Sequence, residues 1–426
     1  MNMPKRYTTL LGKTVRSIAR LRGGGSALPG LFVEKIDSSF VPDTLAQLPR
    51  GVVIISGTNG KTTTTKMVAK LLESQGLKVF TNRTGSNFIR GVAAALLGEV
   101  DMKGKLDADI AVLELDEAHA VHFVKAVAPR YSLLLNVMRD QLDRFGEIDT
   151  TTKMLAAIAQ QTSERVVLNR EDPRIVSIGD SLPAHKATYF GLNPSLTHLF
   201  PNDDELHNGP RAPQVSRPLA NVTLEAFKGD TATFKIAGES LSTSLKLQGI
   251  YNIFNAAAAL ALVRTILGDK ADSAKLVAAL AEVTPAFGRG EQLLVGGQPL
   301  ELVLVKNPAG FRLGLASFPA ETYATMIAIN DNYADGRDMS WLWDVDFESL
   351  RVSGVGEISG IRAYDMALRL QYDEVEMAHV EPNLKKALTH FIHKYPDTPK
   401  RIYCTYTAML ALRRELGTIT AVEVVS

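Results

Sequence analysis

Cysteine is almost missing from this sequence: Cys404 is the only one in 426 residues. A single thiol makes no internal disulfide and excludes a four-cysteine metal site, so no zinc is expected. Long apolar runs are scarce too. None approaches the roughly 18 residues of a membrane-spanning helix, and the first residues carry no signal-type apolar core, which predicts a cytoplasmic protein with no transmembrane segment. Nor is there an excess of charge of one sign. Lys+Arg 47 against Asp+Glu 46 gives a net charge of +1, which argues against a broadly basic nucleic-acid binder. No internal repeat or low-complexity tract breaks the chain. What is present is an ordinary globular composition, 46% hydrophobic and 22% charged. The length predicts two to four domains with cores large enough to need no staple.

The hydrophobic pattern alternates between two periods. Residues 51–56 form a β-branched run ended by Gly57, a buried-strand signature. Helical spacing follows over 61–75, with Met67, Val68, Leu71 and Leu72 on one face. Further strands are expected at 78–81, 110–115, 131–137 and 165–168, with helices at 87–97, 118–127 and 151–161 between them. Such alternation predicts an α/β fold with a doubly wound, mostly parallel sheet. Residues 194–220, with five prolines, read as an irregular insertion, and 221–247 as antiparallel hairpins at the domain edge. An Ala-rich helix is expected over 252–267, and a second, smaller α/β domain beyond 286. The expected division is therefore a basic N-terminal segment (1–45), a central domain (46–286) and a C-terminal domain (287–426). Residues 8–21 of the basic segment suit an amphipathic helix, either packed on the first domain or lying on a membrane surface.

The strongest local signal is Gly57-Thr58-Asn59-Gly60-Lys61-Thr62-Thr63. It stands between a buried strand and a helix, the setting a phosphate-binding loop requires. Glycines let the backbone turn tightly and aim N–H groups at phosphate oxygens, and the helix presents its N-terminus to the anion. Lys61 is placed to reach the β- and γ-phosphates, and Thr62 to ligate Mg²⁺, with Thr63 a second choice. Only two residues separate the glycines, where the common form of the loop has four. A second element, Val112 to Ala118, is an apolar strand ending in carboxylates. Strand ends of this kind supply a metal ligand opposite the loop. Glu117, just past the strand, is the first choice and Glu114 the second.

These two elements, with Leu135 to Arg144, resemble the Mur ligases, the ATP-dependent amide-forming enzymes that include the folylpolyglutamate synthases. Gln141 stands where most members carry a His that helps hold a second metal, and Lys153 lies out of register with the lysine that several members carbamylate. Asn169 to Pro173 resembles the family's adenine-side loop, and Gly249 to Asn255 the motif whose asparagines sit near adenine. Phe287-Gly288-Arg289-Gly290-Glu291 resembles its hinge. The resemblance thus implies nucleotide contacts from Asn169, Asp172, Asn252, Asn255 and Arg289. In the second domain, Lys306 to Phe311, Asn330 to Asp344 and Gly360 to Ala367 resemble the MurT branch of the family, as do Thr81 to Asn87 and Gly23 to Gly30. Many members of that branch carry a four-cysteine zinc ribbon; a Pro- and Asn-rich stretch stands in its place here.

The resemblance implies an activity: ATP phosphorylates the D-glutamate α-carboxylate of the lipid II stem peptide, and ammonia converts the acyl phosphate to D-isoglutamine. It also implies a separate glutaminase subunit of the GatD type that delivers the ammonia, and an Asp on this chain that completes the partner's catalytic triad. Asp338 is the first choice, Asp344 the second, with Asp335 also in range. Trp341 and Trp343 are expected to anchor that interface. Closure about 287–291, and Arg83, Asn87 and the basic N-terminus as lipid II contacts, complete the expectation. Two rivals stand beside it: a ligase adding an amino acid directly, and a nucleotide-binding module without catalysis. Cys404 lies in a strand-like run and reads as core.

Overall fold

The computed structural model describes residues 6–21, 28–82, 89–139, 148–208, 217–247, 249–284, 289–317 and 322–422. Arg83, Asn87, Gln141, Gly23 to Gly25, and Phe287 and Gly288 of the expected hinge lie outside them. The chain folds as two compact units.

The first unit is built on a nine-stranded sheet. In chain order its strands are β1 (Val52–Ser56), β2 (Val79–Thr81), β3 (Ile110–Glu114), β4 (Tyr131–Leu134), β5 (Arg165–Asn169), β6 (Ala187–Leu192), β7 (Val222–Lys228), β8 (Thr231–Ile236) and β9 (Glu239–Ser244). They lie in the order β2-β3-β1-β4-β5-β6-β7-β8-β9. The pairs from β2 to β7 are parallel, and β7-β8-β9 close the edge as an antiparallel meander. β1, β3 and β4 are buried along their whole length, as their unbroken apolar runs require of strands covered on both faces. From β1 the chain crosses to β2 and returns through β3, then continues to β4 on the other side of β1. That reversal opens a crevice at the carboxyl ends of β1, β3 and β4, the place where open α/β sheets bind ligands.

Several expectations change on contact with the fold. β6 and its parallel pairing extend the sheet further than expected; its alternation, Thr188, Phe190 and Leu192 inward, is short and merges with the proline-rich stretch behind it. Within that stretch, Pro194–Leu199 forms a 3₁₀ turn and Asp203–Asn208 a short helix. By length and composition alone the stretch Ile250–Lys270 could cross a membrane. Eleven of its residues are buried in this unit, and a helix apolar all round is a core helix. The amphipathic N-terminal helix, Arg6–Leu21, packs on the domain. A Cβ on its Gly12 would lie 2.7 Å from Leu97 and 2.9 Å from Val33, so the absence of a side chain there permits the contact.

The second unit has its own five-stranded sheet: β10 (Arg289–Val295), β11 (Gln298–Leu304), β12 (Ala324–Ala328), β13 (Glu357–Ser359) and β14 (Lys400–Cys404), ordered β10-β11-β14-β12-β13. All neighbours are parallel except β10 and β11. β10 corrects the reading of Arg289-Gly290-Glu291 as hinge. Glu291 to Val295 pairs back on β11 through Gly296 and Gly297, whose φ of +59° and +80° suit a tight hairpin turn. Cys404 is fully buried on β14, and burial pushes its thiol pKa far up, as an inert core cysteine requires.

A candidate nucleotide and metal site

The loop between β1 and the helix Lys61–Ser74 is held from outside itself. Thr58 N–H donates to the Asn136 carbonyl at 3.0 Å, and Asn59 N–H to Asn136 Oδ1 at 2.9 Å. Asn136 Nδ2 donates back to the Asn59 carbonyl at 3.0 Å. One side chain past the end of β4 thus clamps the outer half of the loop. The glycines are needed for steric reasons. Gly57 and Gly60 have φ of +128° and +89°, values that L side chains rarely adopt. A Cβ on Gly57 would lie 3.0 Å from the Asn136 backbone, and one on Gly60 2.7 Å from Asn255 Oδ1. The first helical amides point out of the N-terminal end of Lys61–Ser74 beside this turn. Together these features make a backbone concavity suited to an anion.

Two side-chain pairs flank it, one buried and one half-buried. Lys61 Nζ donates to the Gly57 carbonyl at 2.5 Å and faces Glu117 Oε1 at 3.4 Å. Thr62 Oγ1 donates to Glu114 Oε1 at 2.8 Å. Both Lys61 and Glu117 are buried, so neither charge is cheap to leave alone and each compensates the other. Glu114 is held in turn by Asn82: its N–H donates to Asn82 Oδ1 at 2.9 Å and its carbonyl accepts from Asn82 Nδ2 at 2.8 Å. Neighbouring oxygens around an octahedral Mg²⁺ with bonds of 2.0–2.1 Å stand about 3 Å apart. The Thr62–Glu114 pair already has that spacing. Of the two expected carboxylates, then, it is Glu114 that meets Thr62, while Glu117 meets Lys61. Thr63 is buried in the helix flank.

The residues expected beside adenine divide into two groups. Asn255 projects from the helix Ile250–Leu267 against the phosphate turn, and Asn252 lies one turn before it, half-buried. Asn169 and Asp172 instead brace the clamp. Asn169 Nδ2 donates to the Leu135 carbonyl at 2.9 Å, and its Oδ1 accepts from Glu171 N–H at 2.9 Å. Asp172 caps the helix Pro173–Asp180 through Arg174 N–H at 2.9 Å and accepts from Val137 N–H at 2.6 Å. Between them they fix residues 135–137, which carry Asn136. Burial lifts the Asp172 carboxyl from 3.8 to about 6, against the pull of those N–H groups. Arg289 lies on β10, outside this unit. Asn136 itself was not singled out by the sequence. Its signal is weak, an Asn two residues beyond β4, because its partner Asn59 is 77 residues away.

In the second unit the run Asn330–Asp344 splits in function. Asp335 is buried and accepts from Thr407 N–H at 2.7 Å and Asn332 N–H at 3.1 Å, which makes it a brace. Trp341 is a core residue, only 3% exposed and edge-on to Phe311, which corrects its expected place in an interface. The groups that face outward are Asp338, half-buried, and Trp343 and Asp344, exposed. Asp338 Oδ1 accepts from Ser340 N–H at 2.9 Å, and hydrogen bonds from Ser340 hold its carboxyl below the usual range. Trp343 meets Tyr372 edge-on, with ring centroids 5.1 Å apart. Tyr372 ends an outward stripe on the helix Ala363–Tyr372, with Tyr364 (69% exposed), Leu368 (48%) and Tyr372 (69%) at four-residue spacing. Such a contiguous apolar face marks an interaction surface.

Fold and crevice define a Mur-ligase-type ATPase domain joined to a second α/β unit, and the comparisons narrow this further. Residues 55–263 match the Mur ligase middle domain and 304–409 the MurT ligase C-terminal domain. The chain is 32% identical to the lipid II isoglutaminyl synthase (glutamine-hydrolyzing) subunit MurT of Streptococcus pneumoniae, over 98% of each chain. Among solved structures it resembles a pseudomurein peptide ligase type C from Methanothermus fervidus (TM-score 0.68, 18% identity, 89% of this chain and 81% of that one). It also resembles the MurF ligase of Thermotoga maritima in complex with ADP (TM-score 0.65, 17% identity, 90% and 83%). The chain belongs to the MurT family of Mur ligases.

Proposed function

We propose that this chain is the synthetase subunit of a lipid II isoglutaminyl synthase, a carbon–nitrogen ligase of peptidoglycan synthesis. It amidates the D-glutamate α-carboxylate of the lipid II stem peptide, with ATP as the phosphoryl donor and ammonia from a GatD-type glutaminase. The observation that carries the reading is the clamped loop, with Lys61 and the Thr62–Glu114 pair on its two sides, in a chain of this family.

The chemical problem is the approach of two anions. A carboxylate oxygen must attack the γ-phosphorus, forming a C–O–P linkage while ADP leaves. The amides of the Gly57–Thr63 turn hold the phosphates by backbone donation, and the Lys61 ammonium moves from the Gly57 carbonyl to the phosphate oxygens. Both act where negative charge grows in the transition state. Thr62 and Glu114 hold Mg²⁺ when it is bound, and the ion neutralises phosphate charge. Glu117 holds Lys61 in place beside the loop. Ammonia then adds to the acyl carbonyl, phosphate departs, and the amide remains. Asn252 and Asn255 line the adenine side, and Arg289 is a further nucleotide contact that the family resemblance implies. Water must be kept from the acyl phosphate until ammonia arrives.

The C-terminal domain (287–426) receives the glutaminase on the Tyr364–Leu368–Tyr372 stripe, with Trp343 as anchor. Asp338, or failing it Asp344, orients the partner's catalytic His. The central domain (46–286) binds ATP, and the segment 1–45 packs on it. Work on lipid II sets the protein at the inner membrane face. The experiment is turnover of lipid II with ATP and ammonium, without partner or added amino acid. Amidated product is expected. A requirement for an amino acid co-substrate would favour direct ligation, and absence of any lipid II-dependent ATP hydrolysis would favour a non-catalytic module.

A further inference from the structure

The second unit holds a polar cluster that the amidation chemistry leaves unused. Glu357 opens the buried strand β13, with its side chain fully shielded from solvent. A carboxylate there is costly unless its oxygens are both engaged. Each is given an imidazole: Oε1 lies 2.8 Å from His379 Nδ1, and Oε2 lies 2.6 Å from His390 Nδ1. The histidines come from different elements. His379 is on the segment that runs parallel beside β13 through the Val380–Ile358 bridge, and His390 is on the helix Leu384–Lys394 packed against that strand. Their rings lie 4.4 Å apart between centroids, and both are a little over 40% exposed, so the cluster is buried on its carboxylate side and open on its imidazole side.

We propose that Glu357, His379 and His390 bind one divalent transition-metal ion of the zinc class. The three donor atoms already lie within 4.8 Å of one another. Zinc with bonds of about 2.0–2.1 Å needs its ligand atoms roughly 3.3 Å apart. The two carboxylate–imidazole spacings of 2.8 and 2.6 Å therefore open by roughly 0.5–0.7 Å, and any donor pair near the 4.8 Å limit closes, movements that the exposed side of the rings allows. Two imidazoles and one carboxylate suit zinc, nickel or copper better than magnesium, whose preference is for oxygen. The scarcity of cysteine excludes only a thiolate site and has no bearing on this one. Three protein ligands leave a fourth position for water. Binding requires each His to present an unprotonated nitrogen, so affinity falls as pH drops below the range in which imidazole is neutral. The ion ties three elements of the fold together across the outer edge of the β13 side of the sheet.

The test uses the full chain, stripped with EDTA, dialysed, and held in millimolar MgCl₂ so that the oxygen-rich Thr62–Glu114 site is saturated. CoCl₂ is titrated and followed by the visible absorption of cobalt held by nitrogen ligands, then displaced with ZnCl₂. One equivalent per chain is expected, weakened at least about tenfold in His379→Ala and in His390→Ala. His393→Ala, one helical turn along, is expected to bind as the parent does. Melting curves with and without ZnCl₂ give a second readout. The parent and His393→Ala gain in Tm, while the two ligand variants, folded because their side chains are half in solvent, do not. No stoichiometric cobalt in the parent, equal binding in both ligand variants, or loss only in His393→Ala would overturn the assignment. Because the readout is metal binding and not amidation, its failure leaves the proposed activity standing.

Discussion

The phosphate loop after β1 and the Asn330–Asp344 run after β12 occupy equivalent positions, each just past the carboxyl end of a fully buried parallel strand, yet they are built for opposite tasks. In the loop almost every polar group turns inward. Asn136 clamps it, Asn169 and Asp172 hold the clamp, and Lys61 and Glu117 are buried together. In the run, alternate residues divide: Asp335, Met339 and Trp341 pin it to the core, while Tyr333, Trp343 and Asp344 stand outside. A site that stabilises charge in a transition state has to be rigid before substrate arrives. A site that meets a protein has to be exposed, and gains precision from a rigid base beneath it.

Four perturbations break that comparison or sharpen it. The largest is Asp338→Asn. If the residue orients the partner's His, glutamine-driven amidation falls on the order of 10⁴-fold while ammonium-driven amidation is unchanged, measured side by side with the glutaminase present and absent. Lys61→Ala acts on the other region, lowering both reactions by about 10³-fold. A loss confined to the glutamine-driven reaction would remove Lys61 from the phosphoryl step. The two tryptophans separate next. Trp341→Ala empties a core position and costs about 3–5 kcal/mol in denaturant unfolding. Trp343→Ala leaves stability within about 0.5 kcal/mol but weakens glutaminase binding by about 2 kcal/mol, roughly 30-fold, in a titration of one subunit with the other.

Asp172 adds a fifth perturbation, read from its pH signature. Its folded pKa is raised to about 6 by burial, so between pH 4 and 6 the folded state binds more protons than the unfolded chain. Its contribution is therefore present at low pH and lost as pH rises through about 6, by up to about 3 kcal/mol. Asp172→Asn titrates no proton. It also turns an amide N–H toward either Val137 N–H or the Arg174 and Ile175 amides, whichever way it is set. Urea unfolding of both proteins from pH 4 to 7 checks this: the stability difference between parent and variant should shift by that amount, and a constant difference would refute the linkage.

What could be read from the sequence was whatever lies close together in it. Val52 to Ser56, the glycines and Lys61-Thr62 announce a strand, a turn and a helix within a dozen residues, and the fold agrees. Carboxylates at the end of β3 were legible as a group, but which of them meets Thr62 depends on the lateral packing of β3 against β1, which no local pattern encodes. Asn136 was hidden for the same reason, and so was the Glu357–His379–His390 cluster, whose members are 22 and 11 residues apart on three elements. Trp341 and Trp343 looked alike as a pair. Only the turn geometry of Ser340–Asp344 sends one inward and the other out. β10 was obscured by Gly288-Arg289-Gly290, which signals a linker, whereas Arg289 and Gly290 begin a hairpin strand.

The most direct test of the central claim is a crystal structure of the chain with MgCl₂ and a non-hydrolysable ATP analogue. The account predicts the β- and γ-phosphates within hydrogen-bond reach of the Gly60, Lys61 and Thr62 amides, Lys61 Nζ drawn off the Gly57 carbonyl, and magnesium between Thr62 and Glu114. An analogue bound elsewhere, with Lys61 still on Gly57 and Thr62 still on Glu114, would contradict it.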